Sequence, residues 1–213
     1  YSEYGLEETA VIVRSNKRSN IYNKNIRGRI LFNENVISVG DLMMVVKNNY
    51  YWLNNNRVDF IANGDIIKIE EIHSIKELYG FSFAEVRVAM IDYPKLNTFE
   101  TVLILDTIEI NSPSLDYTSL NKLYTEISKD YLEIRTKYKR HLAVKKNKYF
   151  NALQVKFAYS FTCHKSQGGQ WESIFVEMPF LANGYNQDFF RWLYTAVTRA
   201  KNKLHLIGFK NEF

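Results

Sequence analysis

One stretch constrains this chain more than any other: Phe157-Ala-Tyr-Ser-Phe-Thr-Cys-His-Lys-Ser-Gln-Gly-Gly-Gln-Trp171. An apolar run suited to a buried strand breaks into a dense polar cluster, then into a glycine pair and a tryptophan. Thr162, His164, Lys165, Ser166 and Gln167 carry side chains that bind phosphates, hydroxyls or bases. Gly168 and Gly169 let the backbone take positive φ or approach a ligand closely. A packed strand has no use for so many polar groups at its end unless something binds there. The fold must therefore present this stretch on a ligand-facing edge.

The hydrophobic period changes along the chain and defines its organisation. Ala10-Val-Ile-Val13 reads as a short buried strand that runs into the basic segment Arg14–Asn20. Tyr22, Ile26 and Ile30 then recur at helical spacing, which predicts a helix capped by Ser19 or Asn20. A strand, a polar loop and a helix in that order form a frequent ligand-binding unit of α/β proteins. Between Val36 and Ile110 the pattern favours strands at 41–46, 65–69, 84–91 and 101–105. Asn63-Gly64-Asp65 is a tight-turn signal, and Asn48-Asn49-Tyr50 and Asn54-Asn55-Asn56 read as loop tips. This block is expected to be a small barrel of about five strands.

A long helix is predicted over about 119–138, with Leu120, Leu123, Ile127, Tyr131, Ile134 and Tyr138 on one stripe. Glu126/Asp130 and Glu133/Lys137 are i, i+4 neighbours on it, the second a favourable ion pair. The cations Lys137, Lys139, Arg140, His141, Lys145, Lys146 and Lys148 follow, either tracking phosphates or complementing a helix end. Strands are expected at 155–161, 171–178 and 203–209, with a helix from about Asp188 between the last two. Phe189, Leu193, Ala196, Val197 and Ala200 form its buried stripe; Arg191, Tyr194, Thr195 and Thr198 face the other way, and Arg199 lies near its end. The ends of the chain thus read as one α/β domain, residues 1–36 plus 151–213. A β module with the long helix, residues 37–150, is inserted between them.

The formal charge of +5 over 213 residues suits a polyanionic partner. A single cysteine, Cys163, excludes an internal disulfide or a multi-cysteine metal site, and it is expected to be a packed residue. With four histidines and no ligand cluster, no metal site is expected. The lone cysteine makes a reducing, cytoplasmic location the expectation, and no apolar run is long enough to cross a membrane.

The residues 161–171 resemble motif V of superfamily I helicases, and Trp192-Leu-Tyr-Thr-Ala-Val-Thr-Arg-Ala-Lys201 resembles their motif VI. Val11–Arg18 resembles the motif IV region, its arginine being either Arg14 or Arg18. Gly40-Asp41, Asn48-Asn-Tyr50 and Asn63-Gly-Asp65 resemble the SH3-like barrel that RecD-like enzymes insert into their second motor domain. Together these cover nearly the whole chain and resemble the C-terminal half of RecD-like and UvrD-like DNA helicases. The resemblance implies an α/β fold: a RecA-like domain of the P-loop NTPase type, without a phosphate loop of its own, carrying an inserted SH3-like β-barrel.

The resemblance also implies roles. Arg199 becomes the catalytic arginine that reaches a nucleotide γ-phosphate. Gly169, Gln170 and Arg14 or Arg18 become nucleotide-binding residues. Thr162, His164, Lys165, Ser166, Gln167, Tyr194 and Thr198 contact nucleic acid, with Thr162 also able to cap a short helix. ATP and Mg2+ are implied as cofactors of a full-length protein, neither tightly bound by this chain alone. The implied partners are single-stranded or partly duplex DNA and a first RecA-like domain upstream of Tyr1. Gln170 departs from the glutamate frequent among relatives, which removes any carboxylate role there. No Gly-x-x-x-x-Gly-Lys-[Ser/Thr] phosphate loop and no metal-binding Asp-Glu pair occur in the sequence, so this chain alone is expected to be inactive. A non-catalytic nucleic-acid-binding module and a scaffold docking a partner through the barrel are the competing readings.

Overall fold

Alternating apolar runs and turn residues divide the chain into nine strands and four α-helices in the computed structural model, which describes residues 1–53, 59–181 and 184–210. The strands are β1 (Thr9–Val13), β2 (Leu42–Val45), β3 (Ile66–Leu78), β4 (Phe81–Met90), β5 (Phe99–Ile104), β6 (Leu153–Phe157), β7 (Ser160–Thr162), β8 (Trp171–Glu177) and β9 (Ala200–Ile207). The helices are α1 (Asn16–Asn25), α2 (Tyr117–Lys129), α3 (Lys137–Lys145) and α4 (Gln187–Val197). Two units result: Tyr1–Val36 with Phe157–Phe213, and Ile37–Lys156.

The first unit is a parallel sheet in the order β7-β1-β8-β9. All five residues of β1 are buried, as an inner strand covered on both faces requires. Ser15, not Ser19 or Asn20, caps α1 by accepting a hydrogen bond from Arg18 N at 3.2 Å. Ser19 and Asn23 instead form the buried face of that helix. Asn23 Nδ2 donates to Phe157 O and Ser160 O, and its Oδ1 accepts from Tyr159 N and Ser160 N. Ser19 Oγ donates to Ser160 O at 2.6 Å. The helix thus serves the backbone groups of 157–160, which no strand partner satisfies in full. Ile26 is buried but Ile30 is exposed, because the chain leaves α1 through a π-turn at Ile26–Ile30.

The second unit is a closed barrel, β2-β3-β4-β5-β6. β3 is much longer than the segment 65–69 read from sequence. It continues through register shifts near Glu70 and His73 and pairs with β4 up to Leu78↔Phe81. Bulges of this kind bend a strand and help a sheet curl shut. The connecting turn is Tyr79-Gly80, both at positive φ (57° and 72°), the geometry of a two-residue hairpin. Tyr79 holds that conformation through its hydroxyl bond to Asp130 and an edge contact with the Tyr149 ring. The fifth strand comes from beyond the helices: β6 pairs with β5 at Leu103↔Leu153, and Val46 N donates to Gln154 O at 2.9 Å. The unit boundary therefore falls at Lys156/Phe157 rather than at residue 151.

The single helix expected over 119–138 is two helices. α2 starts at an Asp116 cap and ends at Asp130, and α3 begins after Thr136. The fold back buries Val144 of α3 in the same core cluster as Leu123 and Ile127 of α2, with Phe83 and Ile104 of the barrel. A straight helix would have left these apolar groups apart. Glu133 consequently lies outside any helix, and Glu126 pairs with Lys129 instead. Several cations of the basic stretch are fastened to the protein: Arg140 donates to the Ile134 carbonyl, His141 bonds Tyr124, and Lys148 pairs with Glu85. Asn54–Asn56 and Asn183 lie outside the described residues.

Glu85 on β4 ties the hairpin to the segment after α3. Its carboxylate accepts from Lys148 (2.6 Å), Tyr149 (2.8 Å), Lys76 and Ser74 (both 3.1 Å). These bonds, that of Lys148 foremost, pull its pKa down from 4.5 to about 2. A depressed carboxylate stabilises fully above its unfolded value and loses that contribution as pH falls through the folded one. Glu85→Gln should therefore flatten the decline in thermal stability between pH 4.5 and pH 2 followed by circular dichroism.

Candidate functional site

The polar stretch after β7 folds as a chain of turns. Lys165 N and Ser166 N both donate to Thr162 O, and Gly169 N donates to Ser166 O at 3.1 Å. The expected short helix capped by Thr162 is not formed; the Thr162 carbonyl, rather than its hydroxyl, closes the first turn. Ser166 is fully buried, with its hydroxyl on Cys163 O at 2.8 Å, so it supports the loop from within. Cys163 is buried too, with its thiol against Trp192 O, and burial pushes its pKa up. His164, Gln167 and Gln170 face solvent. Lys165 is half-buried, and desolvation lowers its pKa. A partly desolvated ammonium is well placed to exchange its lost hydration for a phosphate oxygen.

Gly168 has φ of 88°, in the region that glycine takes at no steric cost. Gly169 is required for a different reason: a Cβ there would lie 2.5 Å from Cη2 of the Trp171 indole. Trp171 is buried and packs its ring against Phe161 at 5.0 Å. It is a supporting residue that the sequence reading used only as a strand start.

α4 delivers the arginine. Asn186 caps the helix through Phe189 N at 2.9 Å, and Phe189, Trp192 and Ala196 form its buried face. Trp192, rather than Leu193, takes the central place in that stripe, and Leu193 and Val197 are half-buried. Arg199 follows the helix, immediately before β9. Its Nε donates to Thr195 O (3.1 Å), one terminal nitrogen to Gly169 O (3.3 Å), and the other to Thr198 Oγ1 (3.1 Å). Trp171 N in turn donates to Arg199 O at 3.0 Å. Gly169, Thr198 and Arg199 are thus brought together, with Gln170 exposed beside them in the chain. Tyr194 is 70% exposed on the same helix and does not bond the guanidinium.

Arg14 and Arg18 stand elsewhere. Arg14 follows β1 at the opposite end of the sheet and lines a groove with Met178. Met178 is seven residues along β8 from Trp171, which pairs with Ala200. At about 3.3 Å per residue the groove and Arg199 are ~23 Å apart. Arg18 makes a bidentate ion pair with Glu177, whose Oε1 also accepts from Tyr22 at 3.1 Å. Sequence signalled Glu177 only as an acidic residue closing an apolar strand. The loop 162–170 runs from the carboxyl end of β7 to the start of β8, and Cys163, between Thr162 and His164, is close enough to Arg199 to feel its charge, whereas Arg14 stands at the carboxyl end of β1. Among the described residues, no three His, Cys, Asp or Glu side chains converge on a possible metal position.

Residues 157–207 match the UvrD-like helicase C-terminal domain family. The whole fold is similar to a Pif1 helicase from Bacteroides solved in complex with ADP-AlF3 and ssDNA: TM-score 0.51, 12% identity, covering 99% of this chain and 43% of that one. A Pif1 helicase from Candida albicans also aligns, with a TM-score of 0.46, 12% identity, and coverage of 95% of this chain and 45% of that one. An uncharacterized protein of Methanocaldococcus jannaschii, MJ1519, is 38% identical over 59 residues, which is 28% of this chain and 5% of that protein. The chain therefore spans less than half the length of each of these proteins. No helix among the described residues is long and apolar enough to cross a membrane.

The glycine pair separates conformational from steric demand. Gly169→Ala must displace Trp171 and should cost about 1–3 kcal/mol, as overpacking does. Gly168→Ala meets open space and only the positive-φ penalty, roughly 1 kcal/mol. Denaturant unfolding of the two variants, with tryptophan emission as the probe, should show the larger loss and a perturbed native spectrum only for Gly169→Ala.

Proposed function

We propose that the chain, whose residues 157–207 match the UvrD-like helicase C-terminal domain family, is the second motor half of an ATP-dependent DNA helicase. Arg199 acts as the arginine finger, and the loop 162–167 grips the sugar–phosphate backbone of a single strand. The observation that carries this reading is the fastening of the Arg199 guanidinium to Gly169 O and Thr195 O. Those bonds orient a permanently charged, planar donor before any substrate arrives. Preorganised charge of this kind stabilises oxygens in phosphoryl transfer without reorganisation at the moment of reaction. The barrel of residues 37–156 is read as the SH3-like insertion of RecD-like relatives.

ATP, when bound between the two closed domains, would supply the phosphoryl group transferred to water. The residues around Arg199 suit the arginine side of such a site. Gln170 adds an amide that can bond a ribose hydroxyl or a phosphate. The sequence has no phosphate loop and no metal-binding Asp-Glu pair, so Mg2+ and the phosphate loop are assigned to a first RecA-like domain. Thr198 steadies the guanidinium. Lys165 and His164 contact phosphates without reading sequence. The chain alone then lacks half of its nucleotide site and turns over no ATP.

In a full-length protein containing both motor domains, Arg199→Ala should lower ATP turnover by roughly 10³–10⁵-fold. Binding to an oligothymidylate should fall far less, since the loop 162–167 keeps its own strand contacts. Measured by phosphate release and fluorescence anisotropy, unaltered turnover would exclude the finger role. ATPase activity of the isolated 213-residue chain that Arg199→Ala abolishes would exclude the shared site.

A further inference from the structure

The carboxyl end of the sheet holds a second polar feature, which joins the end of the Val11–Arg18 stretch to the segment after β8. Beside Arg14, a groove of about 640 Å3 runs between the loop after β1 and the segment Met178-Pro179-Phe180 after β8. We infer that this groove takes one nucleotide unit of a single strand, its base stacked on Phe180 and its phosphate held by Arg14. The inference rests on the strand-binding reading of the loop 162–167 and extends the path beyond it.

Phe180 is 91% exposed and makes no ring contact among the described residues. An aromatic ring so placed, at the mouth of a groove and next to a cation, offers a bare face for a base. Base–aromatic stacking needs no particular sequence, which suits a translocating motor. Arg14 is exposed and makes no hydrogen bond or ion pair among the described residues, so its donors are available. The acidic group in the groove does not oppose an anion, because Glu177 is only 14% exposed and its charge is taken up by Arg18. The base of the groove is fixed: Met178 N donates to Ile207 O at 2.8 Å, and Pro179 limits the backbone that presents Phe180.

Sheet order supplies continuity. β7, β1 and β8 are successive neighbours, with Val13 level with Thr162 and Ile12 with Val176. Two strand spacings separate β7 from β8, ~10 Å. A strand leaving His164 and Lys165 thus meets Arg14 and then Phe180 along the same edge, where charge and ring alternate as stacking grooves require. Charge complementarity beside Arg14 favours a polyanion over a partner protein at Phe180.

The test compares two ligands of equal length by fluorescence anisotropy with the 213-residue chain: an oligothymidylate and an abasic deoxyribose-phosphate strand. Phe180→Ala should weaken oligothymidylate binding by roughly 5- to 150-fold and leave the abasic strand unaffected. Phe180→Trp should retain affinity. Arg14→Ala should weaken both ligands alike and lower the slope of log K against log salt by about 0.7. Circular dichroism melts confirm folding, which an exposed side chain should not disturb. Wild-type affinity of Phe180→Ala for oligothymidylate, or equal losses on both ligands, overturns the stacking role. If His164→Ala/Lys165→Ala weakens binding while Phe180→Ala does not, only this inference falls. If the unaltered chain binds neither ligand, the strand-binding reading falls and this inference with it.

Discussion

The hydrogen bond from Trp171 N to Arg199 O joins the first residue of one strand to the residue before the next. Everything at the amino end of the sheet depends on it. It aligns β8 with β9, so the loop that ends at Gly169 and the helix that ends at Val197 arrive at one place. The guanidinium then finds Gly169 O within reach, while Gly169 gives up any side chain to leave room for the Trp171 indole. A backbone pairing, a steric exclusion and an oriented charge are therefore one constraint rather than three. A change in any of them moves the arginine.

A similar economy operates at the other end. The strand that launches the polar loop, β7, is only three residues long and could not hold its register by ladder bonds alone. Asn23 and Ser19 of α1 supply the missing bonds to the backbone of 157–160. Buried polar side chains are favourable only when fully satisfied, and Asn23 uses both ends of its amide. Because α1 also carries Arg18, which clasps Glu177 at the end of β8, one helix braces both loops that flank Arg14.

Much of this was legible in the sequence, and the failures have physical causes. The break from apolar to polar at Thr162, the paired glycines, and an arginine after a periodic helix mark local chemistry that needs no tertiary knowledge. The inner strand Thr9–Val13 declares itself by being apolar throughout. Tertiary satisfaction was not legible: Ser19 and Asn23 look like caps or surface residues until their partners at 157–160 are known. Trp192 is buried although its neighbours at helical spacing were the stronger hydrophobes. The long helix broke because the Val144 face had to return to the core built by Leu123 and Ile127. The hairpin turn Tyr79-Gly80 escaped because tyrosine seldom takes positive φ without the kind of external support that Asp130 and Tyr149 give it. The separation of Arg14 from Arg199 follows from strand register, which motif order alone does not contain.

The central claim is that this domain meets a nucleotide with Arg199 and a nucleic-acid strand with the loop 162–167. The most direct measurement is a crystal structure of the full-length protein holding an ADP–aluminium fluoride complex and a short single strand. The account predicts a guanidinium nitrogen of Arg199 about 3 Å from a fluoride of the transition-state mimic. It also predicts that the strand crosses His164 and Lys165 at the carboxyl end of β7. A nucleotide bound beyond the reach of Arg199, or a strand that avoids His164 and Lys165, would contradict it.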